Sequence, residues 1–174
     1  IAGASLLAYL IIFVPKFDYI QGRIFSFFNR ETGTHNFQSD KAIESITSGG
    51  FFGKGIGEGV LKNRVPEAHT DYIISVISEE FGVVAIILIL LLFLILIYMV
   101  FKKISFETND KAKLILIGSI SLILMQATIH IGVNIRLFPT TGMTLPFLSY
   151  GGSSIISTSI LAGIILNLTK RKIT

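Results

Sequence analysis

The pattern of hydrophobic positions divides the chain into four apolar segments separated by polar stretches. The apolar segments are Ile1–Pro15, Val83–Phe101, Leu114–Ile135 and Tyr150–Thr169. The second, VVAIILILLLFLILIYMVF, has no charge over a length that crosses a hydrocarbon core of about 30 Å. The first is shorter, as expected for a helix that begins before Ile1. The pattern therefore predicts an all-α integral membrane protein, a polytopic bundle with four transmembrane helices in this chain.

The polar stretches predict the orientation of the bundle. Residues 102–113 contain four lysines against two acids, and residues 170–174 contain the tail KRKIT. Short loops rich in Lys and Arg face the cytoplasm, so both stretches, and with them the C-terminus, are predicted to be cytoplasmic. Residues 16–82 and 136–149 then form the two outer loops. The long loop is predicted to be structured, with interfacial helices and a glycine-rich turn.

Composition agrees with a membrane protein and removes several other classes. The chain is 51% hydrophobic and 15% charged, with a formal net charge of +4. Because that excess lies in the predicted cytoplasmic stretches, it follows membrane topology and does not indicate nucleic-acid binding. Cysteine is absent, which excludes disulfides, thiolate metal sites and a cysteine nucleophile within these residues.

The glycine-rich stretch GGFFGKGIGEG, residues 49–59, is the first candidate site. Glycine permits positive φ and close approach of a backbone to a ligand, and Lys54 lies among the glycines. The stretch lacks the spacing of a Walker A loop. It is consistent either with a phosphate contact or with a flexible turn.

The stretch VPEAHTDYIISVISEEFG, residues 65–82, places charged groups just before the second apolar segment. Thr70 is predicted to cap a helix whose dipole Asp71 complements. A periodicity of 3.6 residues per turn also places Ser75, Ser78 and Glu79 on the same face as Asp71. Such a polar stripe at a membrane surface indicates a cavity wall. The His69 and Glu67 spacing matches no zinc motif, so no metal ligands are predicted here.

The third apolar segment contains a second polar stripe, Gln126, His130 and Asn134, spaced four residues apart. Hydrogen bonding between helices is its favoured interpretation, with ligand contact as the alternative. The following stretch, FPTTGMTLPFLSYGGSS, contains two prolines and three glycines, which favour irregular backbone. Irregular backbone at the depth of the membrane is tolerated only where it is buried in protein or lines a cavity. Two loops and two polar helix faces are therefore predicted to converge on one outward-facing pocket.

Three stretches together resemble the SEDS family of shape, elongation, division and sporulation proteins. PEAHTDYIISVISEEFG is similar to the family's PEAHTDFIFAVIGEELG, and PTTGMTLPFLSYGGSS to its PTKGLTLPFISYGGSS. QSDKAIESITSGGFFGKGIGEG fits a third family block, in the same order. The PEAHTD block is closer to the division branch than to the elongation branch. Thr141 stands where many relatives have Lys, and Ser78 where they have Gly.

The resemblance implies a peptidoglycan glycosyltransferase that polymerises lipid II in septal wall synthesis, at the outer face of the bacterial cytoplasmic (inner) membrane. The family's essential acid corresponds to Asp71, the expected catalytic base. The candidate substrate-binding residues are Lys54, Lys62, Arg64, Glu67, His69 and Ser149, with Arg23 and Arg30 as further phosphate partners. These residues alone are expected to be inactive, because the family builds its cavity from more spans.

The resemblance also implies partners and leaves two other functions open. Expected partners are lipid II and undecaprenyl-pyrophosphate-linked glycan, a class B penicillin-binding protein that acts as transpeptidase, other divisome proteins and membrane lipid, but no nucleic acid. No cofactor is expected to bind tightly, although a divalent cation, Mg²⁺ or Mn²⁺, would suit a phosphate. The alternatives are a lipid II flippase and a non-catalytic divisome scaffold.

Overall fold

The computed structural model describes residues 34–65 and 67–170, together with Gly22 and Phe27. Its helices are α1 (Thr34–Gly49), α2 (Leu61–Arg64), α3 (Ile73–Phe106), α4 (Asp110–Asn134) and α5 (Gly152–Thr169). Only helices, turns and irregular backbone occur in this part of the chain, and α3, α4 and α5 are long and apolar enough to cross a membrane. The predicted all-α polytopic bundle is therefore confirmed. The first predicted span, Arg23 and Arg30 lie outside the described residues.

Helix α3 is interrupted at Gly82, where the backbone takes φ 78° and ψ −176°. We call Ile73–Phe81 the polar segment of α3 and Val83–Phe106 its apolar segment. The helix thus begins ten residues before the predicted span, whereas its break coincides with the predicted boundary between outer loop and span. Thr70 is not the cap: the helix begins after Tyr72, and the Thr70 hydroxyl donates to the Glu67 carbonyl at 3.1 Å.

The three long helices pack together through apolar side chains. One buried cluster joins Val100 of α3, Leu116, Ile120 and Ile123 of α4, and Ile165 of α5. Helix α3 ends after its predicted span and helix α4 begins before its predicted span, so only residues 107–109 separate the two helices. The Asn109 side chain caps α4 by accepting from the Lys111 amide at 3.0 Å.

The described part of the long polar loop is folded against the bundle. Helix α1 packs on the polar segment of α3 and also contacts α2 and α4. A buried cluster beneath it consists of Ala42, Leu61, Val65, Ala68, Tyr72, Val76 and Val133. An ion pair between Asp40 and Arg136 joins α1 to the beginning of the loop that follows α4. Residues 34–65 and 67–72 thus form a layer over one end of the helices, where most of the candidate site residues lie.

Candidate active site

The turn at residues 67–72 carries the predicted catalytic acid and is held by the loop that precedes α5. The Ser149 hydroxyl donates to the Thr70 carbonyl at 2.7 Å, and the Tyr150 amide donates to the His69 carbonyl at 3.1 Å. Ser149 is buried and also accepts from the Leu145 amide at 2.8 Å. Its hydroxyl therefore joins two stretches of backbone, which is a structural role beside the predicted substrate contact.

The backbone of Asp71 itself is fixed from two further directions. Its amide donates to the Glu67 carbonyl at 3.0 Å, and its carbonyl accepts from the Asn134 side-chain amide at 2.9 Å. The oxygen of that Asn134 side chain accepts from the Ser75 hydroxyl at 2.7 Å, so one buried amide connects α4 both to the turn and to the beginning of α3. The main chain that carries the carboxylate is thereby preorganised.

Gly142 brings the proline- and glycine-rich loop next to the carboxylate of Asp71. A Cβ atom placed on Gly142 would lie 3.7 Å from Oδ2 of Asp71. Gly142 has φ 71°, a backbone conformation that only glycine adopts without strain. The structure thus unites two of the predicted segments, the HTD turn and the TTGMTLP loop, around one partly exposed carboxylate.

The polar stripe on α4 holds this loop in place. Gln126 donates to the Thr144 carbonyl at 3.0 Å and contacts the Ser154 hydroxyl at 3.1 Å. Nδ1 of His130 lies 2.7 Å from the Met143 carbonyl, which only accepts, so Nδ1 carries the hydrogen. With Asn134, these side chains fasten the loop and the Asp71 turn to one helix face. The bonds of Gln126 with Ser154 and of Asn134 with Ser75 join helices, as the favoured interpretation of the stripe predicted, whereas the other partners lie in the loop and the turn.

Lys54 has an internal partner. Its ammonium lies 2.8 Å from Oε1 of Glu79, while Oε2 of the same carboxylate accepts from the Leu61 amide at 3.0 Å. Glu79 is only 2% exposed, so its charge is compensated inside the protein. Lys62 is similarly placed, 3.0 Å from Oε1 of Glu80. The two ion pairs could not be predicted from the sequence, because each lysine is distant along the chain from its glutamate.

A small cleft of about 130 Å³ lies beside Lys54, bounded by α1, the glycine-rich stretch, α2 and α3. Its lining residues are Lys41, Glu44, Ser45, Ser48, Lys54, Val60, Leu61, Arg64 and Glu79. Lys41 pairs with Glu44, whereas Arg64 has no ion pair with the residues that the structure describes. Basic groups therefore exceed acidic ones by one around this cleft.

The predicted site residues thus fall into two groups. Glu67, His69 and Ser149 belong with Asp71, whereas Lys54 and Arg64 line the cleft and Lys62 lies next to them. The cleft includes no residue of the Asp71 turn or of the loop at 136–149, and the polar stripe of α3 is buried within protein. Among residues 34–65 and 67–170, no three His, Asp or Glu side chains gather to bind a metal ion.

Fold and site together define a multi-pass helical membrane protein in which a carboxylate turn meets a glycine-containing loop. The chain belongs to the FtsW/RodA/SpoVE family of cell cycle proteins, whose family model matches residues 1–173. This membership and the three apolar helices indicate a multi-pass protein of the inner membrane.

Curated relatives are named probable peptidoglycan glycosyltransferase FtsW. The protein from Enterococcus hirae is 37% identical over 99% of this chain, which covers 46% of that relative. The Caulobacter vibrioides protein is 38% identical over 90% of this chain and 40% of its own length. The chain spans less than half the length of these relatives. The resemblance to the division branch is confirmed.

A solved structure shares the fold. It is a chain from work on structural coordination of polymerization and crosslinking by a peptidoglycan synthase complex, with a TM-score of 0.67 and 28% identity. The match covers 97% of this chain and 47% of that chain. The similarity therefore extends over nearly all of the present sequence.

Proposed function

We propose that this chain is part of a peptidoglycan glycosyltransferase that polymerises lipid II, with Asp71 as the general base. The observation that carries the proposal is the meeting of Asp71 with the loop at Gly142, on a backbone clamped by Asn134 and Ser149. Relatives named peptidoglycan glycosyltransferase support the reaction class. A fixed carboxylate beside a glycine turn suits a base that must approach a sugar hydroxyl.

In the proposed reaction the acceptor sugar hydroxyl transfers its proton to the Asp71 carboxylate. The hydroxyl oxygen forms the new glycosidic bond as the bond between the donor sugar and pyrophosphate breaks. Undecaprenyl pyrophosphate leaves with the bonding electron pair, so atoms and charge balance. A base positioned in this way contributes about 10²- to 10⁴-fold to the rate.

The basic residues near the cleft are proposed to receive the pyrophosphate, and Arg64 now has the strongest claim. Lys54 and Lys62 are held by Glu79 and Glu80, whereas Arg64 is exposed and forms no ion pair with a described residue, although its charge acts on Glu44 across the cleft. A guanidinium also binds phosphate oxygens in a bidentate manner. Glu67 and His69, both exposed beside Asp71, remain candidates for contact with the sugars.

We further propose a septal role in complex with a class B penicillin-binding protein, with the Asp71 end of the bundle at the outer face. Support comes from the FtsW names of the relatives and from the solved neighbour, which belongs to a complex that couples polymerization with crosslinking. The lysine-rich stretch at residues 102–113, at the opposite end of α3, agrees with a cytoplasmic position for that end.

The test uses the full-length protein with its partner transpeptidase in liposomes supplied with lipid II. Wild type should form glycan strands, and the Asp71→Asn variant should form them about 10²- to 10⁴-fold more slowly, although both insert and bind the partner. Transport of labelled lipid II across the bilayer, measured in the same liposomes, separates the flippase alternative. Strand formation by Asp71→Asn at the wild-type rate would refute the proposed base, and transport without polymer would favour a flippase.

A further inference from the structure

The glycine-rich loop, residues 49–59, exposes large apolar side chains at its tip. Phe51 is 75% exposed and Phe52 85% exposed, and they are adjacent in sequence. The flanking glycines provide no side chains to cover them. A contiguous apolar surface of this kind marks an interaction site more often than scattered exposed residues do. The aromatic pair is therefore a candidate interaction site for an apolar partner.

Backbone hydrogen bonds fix the level of this pair along α3. The Val83 amide donates to the Gly50 carbonyl at 3.0 Å, and the Val84 amide donates to the Phe51 carbonyl at 3.4 Å. Further along the loop, the Lys54 amide donates to the Glu79 carbonyl at 2.9 Å. The loop thus runs from the first turn of the apolar segment back to the polar segment.

The surface next to the aromatic pair is an exposed apolar face of a helix that is long and apolar enough to span a membrane. Val84, Ile87 and Leu88 are exposed on the apolar segment that begins at the break. Since the Phe51 carbonyl accepts a hydrogen bond from the Val84 amide, the loop tip lies beside the first turn of the apolar segment and continues its apolar surface. Hydrocarbon that covers the first turn of the segment reaches the tip as well.

Several backbone groups of the loop meet the condition for backbone at membrane depth. Polar backbone groups in hydrocarbon must be satisfied within the protein. The Gly50 and Phe51 carbonyls accept from α3, and the Gly53 amide donates to the Gly49 carbonyl at 2.8 Å. The nearby ammonium of Lys54 reaches back to Glu79, on the polar segment and away from the apolar one.

We propose that Phe51 and Phe52 insert into the hydrocarbon of the leaflet on the Asp71 side, where they contact acyl chains of bilayer lipid. The glycine-rich loop then acts as a membrane anchor for the broken helix. Continuity with the exposed face of α3 favours bilayer lipid over a protein partner as the occupant. The proposal does not depend on glycosyltransferase activity.

The test measures the environment of single nitroxide labels on the full-length protein in liposomes. The 174 residues contain no cysteine, so a label at Phe52→Cys needs only the replacement of any cysteine elsewhere by serine. Leu88→Cys is the lipid control, since Leu88 is exposed on the apolar segment. Glu58→Cys is the water control, because Glu58 is an exposed charged residue of the same loop.

Collision with oxygen, which concentrates in lipid, is compared with collision with a water-soluble nickel chelate. The label at position 52 should show an oxygen-to-nickel collision ratio close to that at position 88 and several-fold above that at position 58. A ratio equal to that at position 58 would place the tip in water and overturn the proposal. Low collision with both reagents would show that protein covers the tip and would overturn it equally.

Discussion

The two segments of α3 differ in what they bury: the polar segment buries polar side chains within protein, whereas the apolar segment leaves apolar side chains exposed. The polar segment buries Ser75, Ser78 and Glu79 among α1, α4 and the glycine-rich loop. The apolar segment has no charge before Lys102 and leaves most of its surface exposed, as expected for contact with lipid. The first is held by specific polar partners, and the second by apolar packing with α4 and α5.

The comparison shows why the charges next to a membrane span are tolerated. A buried charge is costly unless a partner compensates it, and Lys54 and the Leu61 amide do so for Glu79. The break at Gly82 separates this environment from lipid, because the glycine-rich loop uses the backbone groups freed there. Asp71 lies just before the polar segment, where its backbone is fixed and its carboxylate lies next to Gly142.

Replacing Gly82 by Ala should destabilise the protein more than any other substitution considered for the two segments of α3. A Cβ atom at this position would lie 2.2 Å from the Phe51 carbonyl oxygen, and the φ of 78° would be strained in any other residue. Strain and displacement of the loop together should lower the free energy of unfolding by about 4 kcal/mol. Thermal unfolding of the full-length variant in detergent measures the loss.

Gly163→Ala is the matched control for Gly82→Ala, since a Cβ atom on Gly163 would meet nothing within 4 Å. It should unfold at or slightly above the wild-type temperature, because alanine favours helix. Equal melting temperatures for the two variants would show that the break is not a required feature of α3.

Lys54→Met should have the next largest effect, on stability. It leaves the Glu79 carboxylate buried without its cation, which should cost about 3 kcal/mol, the lower end for such pairs because Lys54 is partly exposed. The double variant Lys54→Met with Glu79→Gln should recover much of that loss. Melting temperatures of the three proteins give the coupling between the two side chains.

Lipid II binding by the same variants separates a structural Lys54 from one that binds phosphate. If Lys54 serves mainly Glu79, the stabilised double variant should bind lipid II nearly as wild type does, and Arg64→Ala should weaken binding more. Tight binding by Arg64→Ala together with weak binding by the double variant would return the phosphate contact to Lys54.

Asn134→Leu should have a smaller effect on stability and a clear effect on the reaction. The change removes the bonds to Ser75 and to the Asp71 carbonyl, at a cost of about 1–3 kcal/mol for the buried groups left without partners. The rate of polymerisation should fall more than the affinity for lipid II. Thr128→Val, an exposed position on the same helix, should leave both unchanged.

Leu88→Ile should have the smallest effect, within about 0.5 kcal/mol, because this side chain of the apolar segment is exposed and keeps its hydrophobicity. Thermal unfolding checks the expectation. A fall of more than about 2 kcal/mol in the free energy of unfolding would mean that protein, and not lipid, covers this face of the apolar segment.

The sequence was sufficient to predict the apolar helices α3, α4 and α5 and the polar stripe of α4, whereas the stripe of α3, predicted to line a cavity, is buried within protein. An uncharged run from Val83 to Phe101 has few alternatives to a membrane helix, and spacing by four residues places Gln126, His130 and Asn134 on one face. Their partners could not be predicted, because Met143 and Asp71 reach them only through the folding of loops.

The break in α3 illustrates the same limit. A single glycine inside a helical pattern is usually tolerated, so Gly82 alone did not indicate an interruption. The cause lies about 30 residues earlier, where Gly50 and Phe51 supply the acceptors for Val83 and Val84. The pairing of Lys54 with Glu79 was hidden for the same reason, and the lysine among glycines was consistent either with a phosphate contact or with a flexible turn.

The most direct test of the proposed base is the single-turnover rate of Asp71→Asn at saturating lipid II. The full-length protein and its partner transpeptidase are used, and melting temperature and lipid II affinity are measured on the same preparation. The change preserves size, and the clamps on the backbone from Asn134 and Glu67 remain. If Asp71 is the base, the rate should be about 10²- to 10⁴-fold lower, with affinity and melting temperature near wild type. A rate within about threefold of wild type, from an equally stable protein, would contradict it.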